Sequence, residues 1–553
     1  MEERIEHIPR ISRAKGVAID PAFKFGNKPL IIPAGTKAKI LLDQTHLTFG
    51  YPVFNISQGM GSKIKVIYSE ALYAEDGSKG NRNDIEGKEI QGYSDIILPD
   101  GGSERKIIPT WLRTYRFIQL EIETKSEPLK INDLYCIYTT YPLEQNGAFE
   151  SDDPKLSQIW DVGWRTARLC AGETYMDCPY WEQLQYIGDT RIQSLISLYV
   201  SGDDRLMRNA IKLADHSRIP GGLTLSRGPS YINQIVPAFS LYWIAMVHDY
   251  YMHRKDDEFI KSCLPGIQAV LGWFERRMDD TGMLGGLEWF NFSDWTDGFL
   301  VGSPGVVDDG NSALISLNFA YALDRASELY SYFDYDIVAG KYKKMAMDIK
   351  ASVRDLCWAD SSDLMVDTPE KKAFSQHTNI FSILTDCVPE EQQQELMTKI
   401  LNNPELIQTT IYYKFYLFEA LQKTGMADKY LSMLQTWENM LGDGLTTFAE
   451  GNYKDRSDCH AWSASPLYHF LSSVAGILPE TPGFNTVGIE PKFGHLSEIK
   501  VKVVHPHGII RMNLTKNGKG IIGDIELPEG LKGNLYWGSD KIQLSQGKND
   551  IRL

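Results

Sequence analysis

The hydrophobic pattern of this chain changes period twice, and that change limits its fold more than any other feature. From about Leu30 to Tyr141, apolar and polar residues alternate in short runs, as in Ile64-Lys-Val-Ile-Tyr68 and Phe117-Ile-Gln-Leu-Glu-Ile122. Such alternation marks strands with one buried face, and turn signals such as Pro99-Asp-Gly-Gly102 separate the runs. Near Phe149 the period lengthens: Ser151-Asp-Asp-Pro is a helix-start signal, and the spacing beyond it is helical. Phe319, Leu323, Ala326, Tyr330 and Phe333 form one helical stripe, and Tyr430, Leu434, Trp437 and Leu441 form another. Helical patterns recur to about Pro479. At roughly 25 to 30 residues per helix and loop, this span of about 330 residues accommodates about twelve helices. Strand patterns return from Thr486 to Leu553, with Ile499-Lys-Val-Lys-Val503 and Ile509-Ile-Arg-Met-Asn-Leu514 as the clearest. The expected order is β, α, β.

Length and composition narrow the function. A chain of 553 residues holds two or three domains and a large core. Its net charge of −15 disfavours nucleic acid or an anionic membrane as the main partner, leaving a neutral one. Twelve Trp, 28 Tyr and 22 Phe are enough to line a concave site for a flat neutral ligand, a sugar or a base, as well as to fill cores. The most apolar stretch, Ile235 to Val247, contains Pro237 and falls short of the roughly 20 residues needed to cross a bilayer, so no membrane span is expected. The first fifteen residues lack the apolar core of a secretory signal. As written the chain reads as cytoplasmic; a signal further upstream would make it periplasmic or secreted. Its seven cysteines are scattered and include no C-x-x-C pair, which reads as free buried thiols.

Two motifs resemble chemistry without its context. Gly518-Lys-Gly-Ile-Ile-Gly523 matches the dinucleotide fingerprint letter for letter, but Asn517-Gly518 lies between two strand-like runs, where a hairpin turn is expected. His505-Pro-His507 has no Cys or carboxylate partner nearby in sequence, so no metal is expected there. Zincin, α/β-hydrolase and P-loop signatures do not occur.

Three acidic, aromatic loops interrupt the helical region. In the first, Met176 to Gln193, Pro179 and Gly188 preclude a single helix, and Asp189 is placed to cap the helix that follows. Such a loop can project Asp177, Glu182 and Asp189 into a cavity beside Tyr180, Trp181 and Tyr186; alternatively, Asp189 is only a cap and the rings are core. The second is Asn291-Phe-Ser-Asp-Trp-Thr-Asp-Gly298. The third is Gly444-Leu-Thr-Thr-Phe-Ala-Glu-Gly451, followed by Ser457-Asp-Cys-His-Ala-Trp-Ser463. Taken singly, the second and third read more simply as solvated loops. Together they offer what a polar, uncharged ring requires: rings to stack on, carboxylates to grip hydroxyls, and two carboxyls for proton transfer.

These segments resemble the bacterial α-L-rhamnosidases of glycoside hydrolase family 78. The resemblance rests on Gly147-Ala-Phe-Glu-Ser-Asp-Asp-Pro-Lys-Leu-Ser-Gln-Ile-Trp160, Asp177-Cys-Pro, Gly188-Asp189, Asp294-Trp295, Thr446-Thr-Phe-Ala-Glu450 and Asp458-Cys-His-Ala-Trp462. Thr114 to Glu121 is also similar to the strand that ends that family's β domain. The resemblance implies a six-hairpin (α/α)₆ barrel between antiparallel β-sandwich domains, with boundaries expected at residues 1–146, 147–480 and 481–553. It also implies inverting hydrolysis of terminal α-L-rhamnose, without a metal or cofactor; a homodimer is one possible assembly. In the family's loop an Asp-Glu-Arg triplet follows Asp-Cys-Pro, and its Glu is the general acid. Here the triplet is Trp181-Glu182-Gln183, the loop is one residue shorter before Glu182, and Tyr186 stands where the family has Trp. The implied roles are Glu182 as general acid and Glu450 as general base, with Asp177, Trp181, Tyr186, Asp189, Asp294, Trp295, His460 and Trp462 binding the sugar.

Inversion needs one carboxylic acid to protonate the leaving oxygen and one carboxylate to activate water on the opposite face, with the two carboxyls about 6.5 to 9.5 Å apart. Two other readings remain at this level: an exo-glycosidase for a different sugar on the same barrel, and a carbohydrate-binding protein without catalysis.

Overall fold

The period-two region folds into a nine-stranded sheet that begins earlier than the alternation suggests. The computed structural model describes residues 1–305, 310–370, 373–451 and 456–553. Its first strands, Glu2–His7 and Arg10–Lys15, lie in a polar segment with little alternation, and they form because Leu129–Thr140 and Lys37–Gln58 offer them backbone partners. Along the main path the order is Glu2–His7, Leu129–Thr140, Lys37–Gln58, Arg113–Glu123, Lys63–Ser69 and Tyr93–Ile97, all antiparallel. Arg113–Glu123 therefore does not end the β region: it is central, and Leu129–Thr140 follows it. Alternate residues of these strands, among them Ile40, Leu42, Phe54, Ile64, Val66, Ile118 and Leu120, fill one core.

By contact the chain divides into two compact units. One comprises Met1–Pro142, Val162–Gln183 and Trp437–Ala461; the other comprises Leu143–Asp161, Leu184–Thr436 and Trp462–Leu553. Within the first, Leu47, Phe49 and Tyr138 from the sheet pack with Leu169, Cys170, Met176, Cys459 and Ala461. That second core seats both of its loop-bearing segments against the sheet.

The second unit contains most of the helices. Pro237 starts Pro237–His253 at a position where its missing N–H costs nothing. Ser312 and Ser375 cap Ala313–Tyr332 and Gln376–Leu384 through their side chains. Ala313–Tyr332 buries Phe319, Leu323, Ala326 and Tyr330 as its spacing predicts, and packs against Pro237–His253 and Asp336–Cys357. The other stripe is not one helix. Tyr430 lies in the 3₁₀ segment Ala427–Met433 and Trp437 in Gln435–Gly442, with Leu434 at the break between them. Among the described residues, no helix is long and apolar enough to cross a membrane.

The last β region forms two sheets, one of five strands and one of four. The five-stranded sheet recruits Ala148–Ser151, just ahead of the first helix, by antiparallel pairing with Glu498–His505. The chain around Phe149 is therefore a strand, and the helix starts at Pro154, where Asp153 accepts a hydrogen bond from the Lys155 N–H. The Asn517-Gly518 step is the expected hairpin turn, with Gly518 at φ 63° and Asn517 paired to Gly520. All seven cysteines are buried as thiols.

Phe149 stacks on Phe470 at a centroid distance of 4.7 Å. Phe149→Ala should therefore cost about 3 kcal/mol, the lower end of the range for a truncated buried ring. Chemical denaturation checks this; an unchanged midpoint would mean that this strand adds nothing to the core.

Candidate active site

Helix Pro154–Leu169 delivers the chain into the loop that carries Asp177 and Glu182. The loop is tied down by backbone bonds, Met176 N–H to Cys170 carbonyl at 2.8 Å and Ala461 N–H to Asp177 carbonyl at 2.8 Å. The second of these joins it to the segment carrying Glu450 and His460. Within that segment the Glu450 N–H donates to the Ser457 carbonyl, the His460 N–H to the Phe448 carbonyl, and the Thr447 hydroxyl to the Asp458 carbonyl. Two stretches far apart in sequence thus form one braced pair of loops.

Cys178 shows why a thiol suits the Asp-Cys-Pro step. Its S–H donates to Asp177 Oδ2 at 2.9 Å, and its sulfur accepts from the Glu182 N–H at 3.4 Å. Burial, together with the neighbouring Asp177, pushes this thiol well above its ordinary pKa, so it stays protonated and can donate. Asp177, Cys178 and His460 are the one group of His, Cys, Asp and Glu among the described residues whose ligand atoms lie close enough to share an ion. His505 is engaged elsewhere, with its Nε2 2.8 Å from the Phe484 carbonyl.

Glu182 and Glu450 are both partly accessible, and Arg456 reaches both. Its guanidinium contacts Glu182 and lies 3.9 Å from Glu450 Oε2. Burial opposes the Arg456 charge, but the two carboxylates more than compensate and hold its pKa above the ordinary value. Gln183, next in sequence to Glu182, has φ 57°, an uncommon left-handed conformation for a residue with a Cβ. It is held there by the bond from its N–H to the Cys178 carbonyl and from its side-chain amide to the Pro179 carbonyl.

The sheet region contributes groups that sequence reasoning missed. Lys79 and Arg82 enclose Asp458: Lys79 Nζ lies 2.9 Å from Oδ1, and Arg82 binds both oxygens at 2.8 and 2.9 Å. Burial opposes ionisation of Asp458, but Lys79 and Arg82 hold its pKa below the ordinary value. Buried Glu70 accepts from Trp181 Nε1 at 3.0 Å and from the Asp458 N–H at 3.3 Å. Nothing in the local pattern marks these three residues, because their partners are more than 370 positions away in Asp458. Arg456 did have a signal, as one of two cations in the stretch between Glu450 and Asp458.

The first unit therefore brings together Asp177, Trp181, Glu182, Glu450 and His460. Tyr186, Asp189, Asp294, Trp295 and Trp462 belong to the second. Tyr186, not Asp189, occupies the N-cap of Ile187–Ile196; Asp189 lies buried in the first turn, where helix geometry favours an acid. Gly188 leaves room for Tyr412 and Phe239, whose atoms would come within 2.8 Å of an added Cβ. Asp294 is wholly buried, with Oδ2 receiving the Thr410 N–H and lying 2.8 Å from His377 Nε2, and Oδ1 receiving the Thr410 hydroxyl. Trp295 is half exposed beside Phe292, and Trp462 is buried in a stack with Tyr412.

Glu70 generates a pH prediction. Burial, aided by the Asp458 charge, pushes its pKa from 4.5 up to about 8. Between those values the folded protein binds more protons than the unfolded chain, so this group makes stability fall as pH rises through the window. Glu70→Gln removes that dependence. Thermal melts at pH 5 and pH 8 should show the wild type losing stability relative to the variant at the higher pH; a gap that stays constant or widens in the wild type's favour would contradict the assignment.

The family model described as the bacterial alpha-L-rhamnosidase 6 hairpin glycosidase domain matches residues 144–474, more than half of the chain. No curated protein sequence matches it. Among solved structures, the family 78 rhamnosidase of Bacillus sp. GL1 superposes with a TM-score of 0.83 at 22% identity, over 94% of this chain and 56% of that one. The Klebsiella oxytoca rhamnosidase with rhamnose bound gives 0.72 at 18% identity, over 85% and 95% of the respective chains. The α-L-rhamnosidase of Aspergillus terreus gives 0.76 at 17% identity, over 99% and 64%. The chain thus spans little more than half the length of the Bacillus enzyme. At these identities the structures speak for the fold, and the family model speaks for membership: the chain belongs to the bacterial α-L-rhamnosidase family with a six-hairpin glycosidase domain.

Proposed function

We propose that this protein is an exo-acting glycoside hydrolase that releases terminal α-L-rhamnose with inversion, using Glu182 as general acid and Glu450 as general base. The observation that carries the reading is the placement of these two carboxylates on separate braced loops with one guanidinium, Arg456, in reach of both. Two acids joined by a direct hydrogen bond would leave no room for a water between them. Two acids spanned by a guanidinium stand apart, as a separate proton donor and proton acceptor must.

In the proposed step the glycosidic oxygen takes the proton of Glu182 as its bond to the anomeric carbon breaks. A water attacks that carbon from the opposite face, giving up its proton to Glu450. A general acid must hold a proton, so Arg456 leaves Glu182 when the sugar arrives. Asp177 and His460 grip sugar hydroxyls, and the sugar-binding roles implied for Trp181, Tyr186, Asp189, Asp294, Trp295 and Trp462 are proposed with them. The fold reading is an (α/α)₆ barrel between two β-sandwich domains, divided near residues 146 and 480, and the substrate is a rhamnose-containing glycoside. The match of the family model to residues 144–474 supports the barrel, and the sheets on either side of that span support the flanking domains.

Glu182→Gln and Glu450→Gln should each lower turnover of an aryl α-L-rhamnoside by about 100-fold or more, the usual contribution of a general acid or base. Wild-type turnover in either variant would remove that residue from the mechanism. Stereochemistry provides a separate check. Proton NMR during the first minutes of hydrolysis should show β-L-rhamnose accumulating before mutarotation; the α anomer appearing first would replace inversion by a retaining route.

A further inference from the structure

On the sheet side of Glu182 lies a cavity of about 280 Å³ whose walls include Tyr93, Trp111, Tyr180, Trp181 and Gln183, with Glu182 itself on its lining. We propose that this cavity holds the leaving group of the glycoside, and that the occupant is a planar aromatic aglycone stacked against Tyr93 and Trp111. The proposal rests on Glu182 being the general acid, because the leaving oxygen must lie against the proton donor.

The chemistry of the walls selects the occupant. Tyr93 and Trp111 are each more than half exposed, whereas Tyr180 beneath them is buried. Tyr93 lies 5.0 Å from Tyr180 and 6.2 Å from Trp181 between ring centroids, and Tyr180 meets Trp181 edge-on at 4.9 Å. The lower wall is rigid: the Tyr180 hydroxyl donates to the Tyr68 carbonyl and accepts the Tyr93 N–H. A side chain on Gly92 would strike both that carbonyl and that hydroxyl, so only glycine permits this approach. Large exposed rings over a fixed aromatic floor form a stacking slot, since offset and edge-to-face contacts favour a flat partner.

A sugar aglycone would need many hydrogen bonds, and most of the slot's N–H donors are already committed. Trp111 Nε1 donates to Gln183 Oε1, the Gln183 amide to the Pro179 carbonyl, and the Thr114 hydroxyl to the same carbonyl. Trp181 Nε1 is engaged with Glu70 and the Arg456 carbonyl. Arg113 on the lining is paired with Asp95 through both its Nε and Nη2. A weakly polar ring asks none of these groups to change partner. A saccharide, with a hydroxyl on nearly every carbon, would find chiefly the Tyr93 and Ser94 hydroxyls and the Glu182 carboxyl outside the slot's own bonds.

Two measurements test this on the intact chain. The first is calorimetric titration with free 7-hydroxy-4-methylcoumarin, which needs no catalysis. Saturable binding by the wild type, weakened at least tenfold in Trp111→Ala and in Tyr93→Ala, is the expected result; no saturable binding by the wild type, or equal binding by both variants, overturns the proposal. Both rings are largely exposed, and circular dichroism melts confirm that the variants fold. The second compares kcat/KM for the coumarinyl α-L-rhamnoside with that for methyl α-L-rhamnoside. The ratio should fall at least fivefold in each variant, and an unchanged ratio overturns the assignment. A rhamnosyl-glucose disaccharide losing as much as the coumarinyl substrate would make the site a saccharide site and refute the aromatic one. Coumarin binding without turnover of any rhamnoside would support the slot and reject only the sugar reading; turnover of methyl rhamnoside without coumarin binding would do the reverse.

Discussion

One buried carboxylate, Asp458, fixes the candidate active site to the sheet beside it. Lys79 and Arg82 reach it from the sheet region and surround it with one ammonium and a bidentate guanidinium. Burying such a group is expensive, and burying it unpaired is far worse: loss of one partner from a buried ion cluster costs about 3 to 5 kcal/mol. The cluster therefore sets the position of this loop more than the total stability. With Asp458 in place, the register of Ser457 and His460 follows from their backbone bonds to Glu450 and Phe448 respectively.

The same cluster reaches the other loop through a single carbonyl. The Arg456 oxygen accepts from Lys79 Nζ at 2.6 Å and from Trp181 Nε1 at 2.7 Å. One carbonyl is thus shared by a sheet cation and by the ring next to Glu182. Where the resemblance has an acid before the general acid, this chain has Trp181, and the carboxyl beside it comes from Glu70. Where the resemblance has Arg after the general acid, this chain has Gln183, and the guanidinium that touches Glu182 comes from Arg456. The Glu70 carboxyl thus bonds the ring next to Glu182, and the Arg456 guanidinium contacts Glu182 itself.

How much of this was legible in the sequence depends on how far each residue's partner lies along the chain. The β, α, β order was legible because period is a local property, and so was the long stripe through Phe319 and Tyr330. The stripe through Tyr430 and Trp437 has helical spacing yet spans a break at Leu434, because spacing alone does not exclude a 3₁₀ turn. Glu2–His7 and Ala148–Ser151 were not legible as strands: each forms by pairing with a segment more than a hundred residues away. The candidate site divides in the same way. Glu182 and Glu450 stand in recognisable local motifs. Glu70, Lys79 and Arg82 have meaning only beside Asp458, and single-sequence reading has no access to such a pairing. Asp189 was placed at a helix start correctly but three positions from the cap, since the backbone at Tyr186 takes the cap without a side-chain bond.

The long-range braces also separate two tasks. The loops carrying Glu182 and Glu450 are held by buried ions, thiols and backbone bonds, where a small shift would leave a polar group unmatched. The rings at the cavity mouth are held differently: Tyr93 begins an edge strand, and Trp111 lies in the loop ahead of Arg113–Glu123, both largely in solvent. Substitution there disturbs little beyond the slot itself, because exposed residues have few packed neighbours to displace. A chain built this way can change residues on the sheet around the cavity while the loops carrying Glu182 and Glu450 stay where Asp458 anchors them.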